Sequence, residues 1–119
     1  WPCTRHSIDN TMEDAVKTLI AQHPVLMFSK TYCPYCTQAE RALMSVMKPK
    51  NIPIHKVNLD KMEDGVAMHK ALSKVSGLST VPNIYVGGEH IGGCDTLIQR
   101  LKAHTLDEAT AAAQAMCNK

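Results

Sequence analysis

No charge of one sign dominates this chain: thirteen Lys plus Arg face eleven Asp plus Glu across 119 residues, a formal net charge of +2. Without a large basic surface, nucleic acid is excluded as a main partner. Long apolar runs are missing too, because Lys, Arg, Glu, Asp or His keeps interrupting them, and a membrane span is excluded with them. Internal repeats and low-complexity tracts are also absent. Cysteine is sparse: Cys3, Cys33, Cys36, Cys94 and Cys117 are an odd number, too few for a disulfide-stapled mini-protein. A reducing compartment is therefore expected, the cytoplasm, or an organelle if a targeting segment once preceded Trp1. What is present, 45% apolar and 20% charged residues, suits one soluble, monomeric domain with a core of its own.

Residues 1–10 are polar and aperiodic and read as a loose arm, leaving 11–119 as the single domain. Thr11, with Asp14 three residues on, reads as a helix cap. Met12, Ala15, Val16, Leu19 and Ile20 then mark one apolar helical face. Pro24 ends that helix, and Val25-Leu26-Met27-Phe28 reads as a buried central strand. A second helix carries Ala39, Ala42, Leu43, Val46 and Met47 on one stripe, and a second strand follows around Ile54 and Val57. A third helix is expected over about 61–75, stopped by Gly77. Val81 to Val86, a turn at Gly87-Gly88 and Glu89-His90-Ile91 predict an antiparallel hairpin. Leu97, Ile98 and Leu101 mark a fourth helix, and Leu106, Ala109, Ala112, Ala113 and Met116 a last one. A strand–helix–strand unit joined to a hairpin predicts an α/β fold: a four-stranded mixed sheet flanked by helices on both faces.

Cys33-Pro34-Tyr35-Cys36 falls between the buried strand and the second helix. With Cys33 at the cap, the unpaired N–H groups of the first turn point at its sulfur and favour thiolate. Pro34 suits the first helical position, where its missing N–H costs nothing. Lys30 adds positive charge nearby. These features predict Cys33 as nucleophile and Cys36 as the more covered resolving thiol. The same spacing could be half of a zinc site, which would need His69, His90 and Cys94 to converge on it.

Two further constellations stand out. Thr80-Val81-Pro82 is either a proline opening a strand or a cis bond that turns the Val81 backbone outward to pair with an extended peptide. Gly92-Gly93-Cys94-Asp95 is either a turn with Asp95 capping the next helix or an anion site at its start. Cys94 itself is either a semi-buried corner residue or an exposed thiol open to glutathionylation or dimerisation.

Together these segments resemble a dithiol glutaredoxin: Ser29 to Cys36, Thr80 to Gly88 and Ile91 to Asp95 match in order and spacing, within a stretch from roughly Asp14 to Leu106. The resemblance implies a thioredoxin-like fold, a cis Pro82 and glutathione as co-substrate, with no permanently bound cofactor and no metal. It also implies that Cys33 carries the glutathionyl mixed disulfide. In such proteins the residues matched by Lys30, Tyr35, Val81 and Asp95 surround glutathione. Lys30 and His69 would meet the glycine carboxylate, and Thr80-Val81-Pro82 would pair with the cysteinyl unit. Gly93, Cys94 and either Asp95 or Thr96 would receive the γ-glutamyl end. His69 departs from the usual Gln or Arg and makes that carboxylate contact sensitive to pH.

The expected activity is glutathione-dependent reduction of protein–glutathione mixed disulfides and protein disulfides. The alternative is a non-catalytic thioredoxin-fold module that grips extended peptides or a glutathione-ligated iron–sulfur cluster.

Overall fold

The structure, a computed structural model, describes residues 8–117; Cys3 and most of the proposed N-terminal arm lie outside the described residues. Its elements run α1 (Ile8–Gln22), β1 (Val25–Ser29), α2 (Pro34–Met47), β2 (Ile54–Asn58), α3 (Gly65–Ser76), β3 (Asn83–Val86), β4 (Glu89–Gly92), α4 (Cys94–Lys102) and α5 (Asp107–Cys117). The four strands form one mixed sheet in the order β2-β1-β3-β4, with β1 parallel to β2 and antiparallel to β3, and β3 antiparallel to β4. This is the predicted thioredoxin-like architecture.

All five residues of β1 are buried, as its unbroken apolar run requires of a strand covered on both faces. Successive side chains point to opposite sides. Val25 and Met27 join Ala39, Leu43, Met47, Leu97, Leu106 and Ala113 on the α2/α4/α5 side. Leu26 and Phe28 join Val16, Met68, Ala71, Leu72 and Tyr85 on the α1/α3 side. Each predicted helical stripe thus meets the sheet, although that of α5 does so only in part. Ala112 is exposed, and Thr110 takes an inward place on α5 by returning its hydroxyl to the Leu106 carbonyl at 2.9 Å.

Several expected boundaries move. Thr11 lies inside α1, because the helix begins at Ile8. β3 begins at Asn83, just after the cis Val81–Pro82 bond, since Pro82 has no N–H for the ladder. α3 begins at Gly65, after a 3₁₀ turn over Leu59–Lys61. There the chain folds back so closely that a Cβ on Gly65 would fall 1.8 Å from the Leu59 carbonyl oxygen. Gly77 does end α3, in the left-handed conformation at φ 77.

Candidate active site

β1 delivers the chain to the loop 30–33, where the Cys33 N–H closes a turn onto the Lys30 carbonyl at 3.2 Å. Cys33 then caps α2 with extended backbone, and Pro34 occupies the first helical turn. The Cys33 sulfur accepts the Cys36 N–H at 3.2 Å, so an unpaired donor of the helix start is spent on the thiol that the sequence marks as nucleophile. Across the groove the same sulfur lies 3.9 Å from the Val81 carbonyl, immediately before the cis Pro82. Cys33 is half-buried while Cys36 is buried. Burial, followed by its hydrogen bond with Cys33, pushes the Cys36 thiol up to about 12. The two thiols are therefore unequal: one is open and supported by a backbone donor, the other is covered and held protonated.

Two open cavities flank this pair. One of about 580 Å³ is lined by Lys30, Tyr32, Asp60, His69, Lys70 and Ser79 among others. The other, about 420 Å³, is lined by Tyr35, Leu78, Thr80, Val81, Pro82, Gly93, Cys94, Asp95 and Thr96. The segment 78–81 is the wall between them: Ser79 faces the first, and Leu78, Thr80 and Val81 face the second. Of the residues singled out from sequence, Lys30 and His69 fall in the first cavity and the remaining eight binding candidates in the second. Tyr35 is exposed at the rim, along with Tyr32.

His69 donates from Nε2 to the Ser79 carbonyl at 2.8 Å, because a carbonyl can only accept. This ties α3 to the wall segment. A buried network supports that segment from behind. Asn83 donates to the Ser76 hydroxyl at 2.9 Å and to the Leu78 carbonyl at 3.4 Å, and accepts from His90 Nε2 at 2.9 Å. Both histidines are thus committed to protein acceptors, and they do not converge with Cys94 on the dithiol. Among the described residues, no group of three His, Cys, Asp or Glu side chains gathers in metal-binding fashion.

Asp95 does not cap α4. Gly93 occupies the cap position, its carbonyl accepting the Leu97 N–H at 3.0 Å, and Asp95 sits exposed in the first turn. Cys94 is buried, as the corner-residue reading expects. Its thiol is pushed up by burial, then by the Asp95 carboxylate and Cys33. Sequence reasoning missed Asp60, which binds Thr31 through its carboxylate. The partners are 29 residues apart, and nothing local to either one signals the contact.

Comparison with known proteins agrees with this geometry. The glutaredoxin family profile matches residues 25–91. Glutaredoxin-1 of Saccharomyces cerevisiae is 40% identical over 93 residues, covering 78% of this chain and 84% of that protein. The chloroplastic monothiol glutaredoxin-S12 of Arabidopsis thaliana is 38% identical over 94 residues, and the aligned part of this chain spans 50% of its length. Among solved structures, a buckwheat glutaredoxin–glutathione complex superposes with a TM-score of 0.78 at 30% identity, covering 88% of this chain and 92% of that one. The chain belongs to the glutaredoxin family, and the Cys33-Pro34-Tyr35-Cys36 pair makes it a dithiol member.

Proposed function

We propose that the protein is a glutathione-dependent thiol–disulfide oxidoreductase acting on protein–glutathione mixed disulfides and on protein disulfides. The observation that carries this reading is the half-exposed Cys33 sulfur at a helix start, held by the Cys36 N–H at 3.2 Å. In the first step the Cys33 thiolate attacks the glutathione sulfur of a mixed disulfide. The old S–S bond breaks, a new one joins Cys33 to glutathione, and the client leaves as thiolate and takes up a proton. A second glutathione, as thiolate, attacks the glutathione sulfur now bound to Cys33. Glutathione disulfide leaves, and Cys33 returns as thiolate. With a protein disulfide, Cys33 forms a mixed disulfide with the client and frees the client's other thiolate, which takes up the Cys36 proton. Cys36 then attacks Cys33 and expels the client, and two glutathiones reduce the resulting intramolecular bond and leave as glutathione disulfide.

The protonated state of buried Cys36 supports the glutathione route, because a thiol is a poor nucleophile and leaves the Cys33 intermediate for an incoming glutathione. For the ligand, the two cavities suit a tripeptide with an acid group at each end, as bound by the buckwheat relative. In this reading Lys30 receives the glycine carboxylate, and His69, whose Nε2 is spent on the Ser79 carbonyl, lines the same cavity. The Val81 backbone next to cis Pro82 pairs with the cysteinyl unit, and the bare N–H groups of 93–96 hold the γ-glutamyl carboxylate. A compartment that keeps glutathione reduced, such as the cytoplasm, suits this chemistry.

The test is glutathione-dependent reduction of a small glutathionyl mixed disulfide by wild type and by Cys33→Ser. Turnover in wild type and none in the variant is expected. A wild type that is inactive with its thiols reduced, or a variant that keeps its activity, would overturn the proposal.

A further inference from the structure

β1 and β2 pair in parallel with a constant offset, from Val25 opposite Ile54 to Ser29 opposite Asn58. The backbone ladder stops there, but the offset continues through side chains. The Ser29 hydroxyl donates to Asn58 Oδ1 at 2.8 Å, across 29 residues. Two residues further on, Thr31 meets Asp60, again 29 apart. The Thr31 N–H reaches both carboxylate oxygens, at 3.1 and 3.2 Å, and its hydroxyl donates to Oδ2. Only Tyr32 separates Thr31 from Cys33. On the other side, Asp60 lies in the turn Leu59–Lys61, which is pressed against Gly65 at the start of α3.

We propose that Asp60 is a positioning residue for the exchange reaction: its carboxylate clamps Thr31 and thereby holds the loop 30–33 so that the Cys33 sulfur stays on the Cys36 N–H and beside the Val81 carbonyl. A carboxylate suits this task because it offers several acceptor sites at once, and hydrogen bonds to an ionised acceptor are stronger than neutral ones. The hydrogen bonds from Thr31 in turn hold the Asp60 carboxyl below the ordinary carboxylate range, so the clamp stays charged at neutral pH. Without it, Thr31 would turn both donors to water, and the loop would lose this tie to the turn Leu59–Lys61. The assignment rests on the reaction proposed above for Cys33. Asp60 also lines the cavity that holds Lys30, His69 and Lys70. A mere charge effect on an anionic ligand there would fall on KM rather than on kcat.

The test compares wild type with Asp60→Ala, Asp60→Asn, Thr31→Val and the Thr31→Val/Asp60→Ala double variant. It reads kcat and KM for glutathione, the rate at which iodoacetamide labels Cys33 at pH 7, and Tm. Misplacing a nucleophile by a fraction of an ångström slows reaction, so Asp60→Ala should lose about 10-fold in kcat and in labelling rate. KM for glutathione should stay within about twofold. Asp60→Asn keeps an amide oxygen for the Thr31 N–H and should recover most of both rates. Thr31→Val loses only the hydroxyl bond and should fall between, and the double variant should be no slower than Asp60→Ala, since one clamp cannot be lost twice. If Asp60→Ala fails to fold, the ordering of wild type, Asp60→Asn and Thr31→Val decides. Either rate unchanged in Asp60→Ala, an Asp60→Asn as slow as Ala, additive losses in the double variant, or a loss confined to KM or Tm would overturn the clamp. Labelling needs no glutathione. A wild type that labels well without turning over would therefore refute the proposed reaction and leave the clamp to be judged on labelling alone.

Discussion

The Cys36 backbone N–H points at the Cys33 sulfur across 3.2 Å, while the Cys36 side chain itself is buried behind it. The second cysteine of the pair thus serves the first through its main chain, whatever its own thiol does. A consequence is that Cys36→Ser should keep this hydrogen bond, because it belongs to the backbone. Reduction of a small glutathionyl mixed disulfide should survive in that variant, and reduction of a protein disulfide should fall to background. Parallel assays on both substrates check this, and loss of both activities together would mean that the Cys36 thiol has a role in the first step.

The same geometry predicts an order of chemical labelling. Burial pushes the Cys36 thiol up to about 12, and burial with Asp95 raises Cys94. At pH 7–8 in the native state, iodoacetamide should mark Cys33 and exposed Cys117, with Cys36 and Cys94 labelled only after denaturation. Peptide mapping by mass spectrometry reads this directly.

Acid should weaken the fold through its histidines. His23 at the end of α1 stacks on His55 of β2 with ring centroids 3.8 Å apart and planes within 4°. Its pKa is lowered from the ordinary 6.5, first by burial and then by the His55 charge. His90 is lowered by burial. In both cases the unfolded chain takes up a proton at a pH where the native state does not. This contribution to stability is therefore complete above about pH 6.5 and is lost as pH falls below it. Tm should drop between pH 7 and 5, and less steeply in His55→Gln, which removes one charge beside His23. A Tm that rises with acid over this range would contradict the sign.

Gly65→Ala should damage both stability and turnover. The added methyl would sit 1.8 Å from the Leu59 carbonyl oxygen, which is backbone and has no rotamer by which to escape. Overpacking of this kind costs about 1–3 kcal/mol, and each kcal/mol lowers Tm by about 4–8 °C in a domain near 100 residues. Because the displaced turn carries Asp60, kcat should fall as well.

Phe28→Ala tests the core beneath the site. Phe28 is fully buried on the α1/α3 face, and a Phe truncation there costs about 3–5 kcal/mol. That is a large part of the about 5–15 kcal/mol that keeps such a domain folded. Urea denaturation should show the midpoint falling sharply with an unchanged slope.

The features legible in the chain alone are local ones. The cap at Cys33 and the proline after it depend on neighbours within a helical turn. The apolar stripes of α1 to α4 follow from periodicity, and the buried run of β1 from its composition. Element type and the placement of the dithiol could therefore be read without coordinates. Boundaries failed where distant contacts decide them. Gly65 starts α3 because the Leu59 carbonyl lies against it, and Gly93 rather than Asp95 ends up at the α4 cap. Which residues meet across the sheet depends on the folded arrangement as a whole. The 29-residue offset of β1 and β2 is a property of their pairing. Ser29–Asn58 and Thr31–Asp60 exist as contacts only once that register is set, as does the His23–His55 stack. A side chain's hydrogen-bonding partner is chosen by proximity in space, and proximity between separate strands is written in the packing of the whole core rather than in any window of the chain.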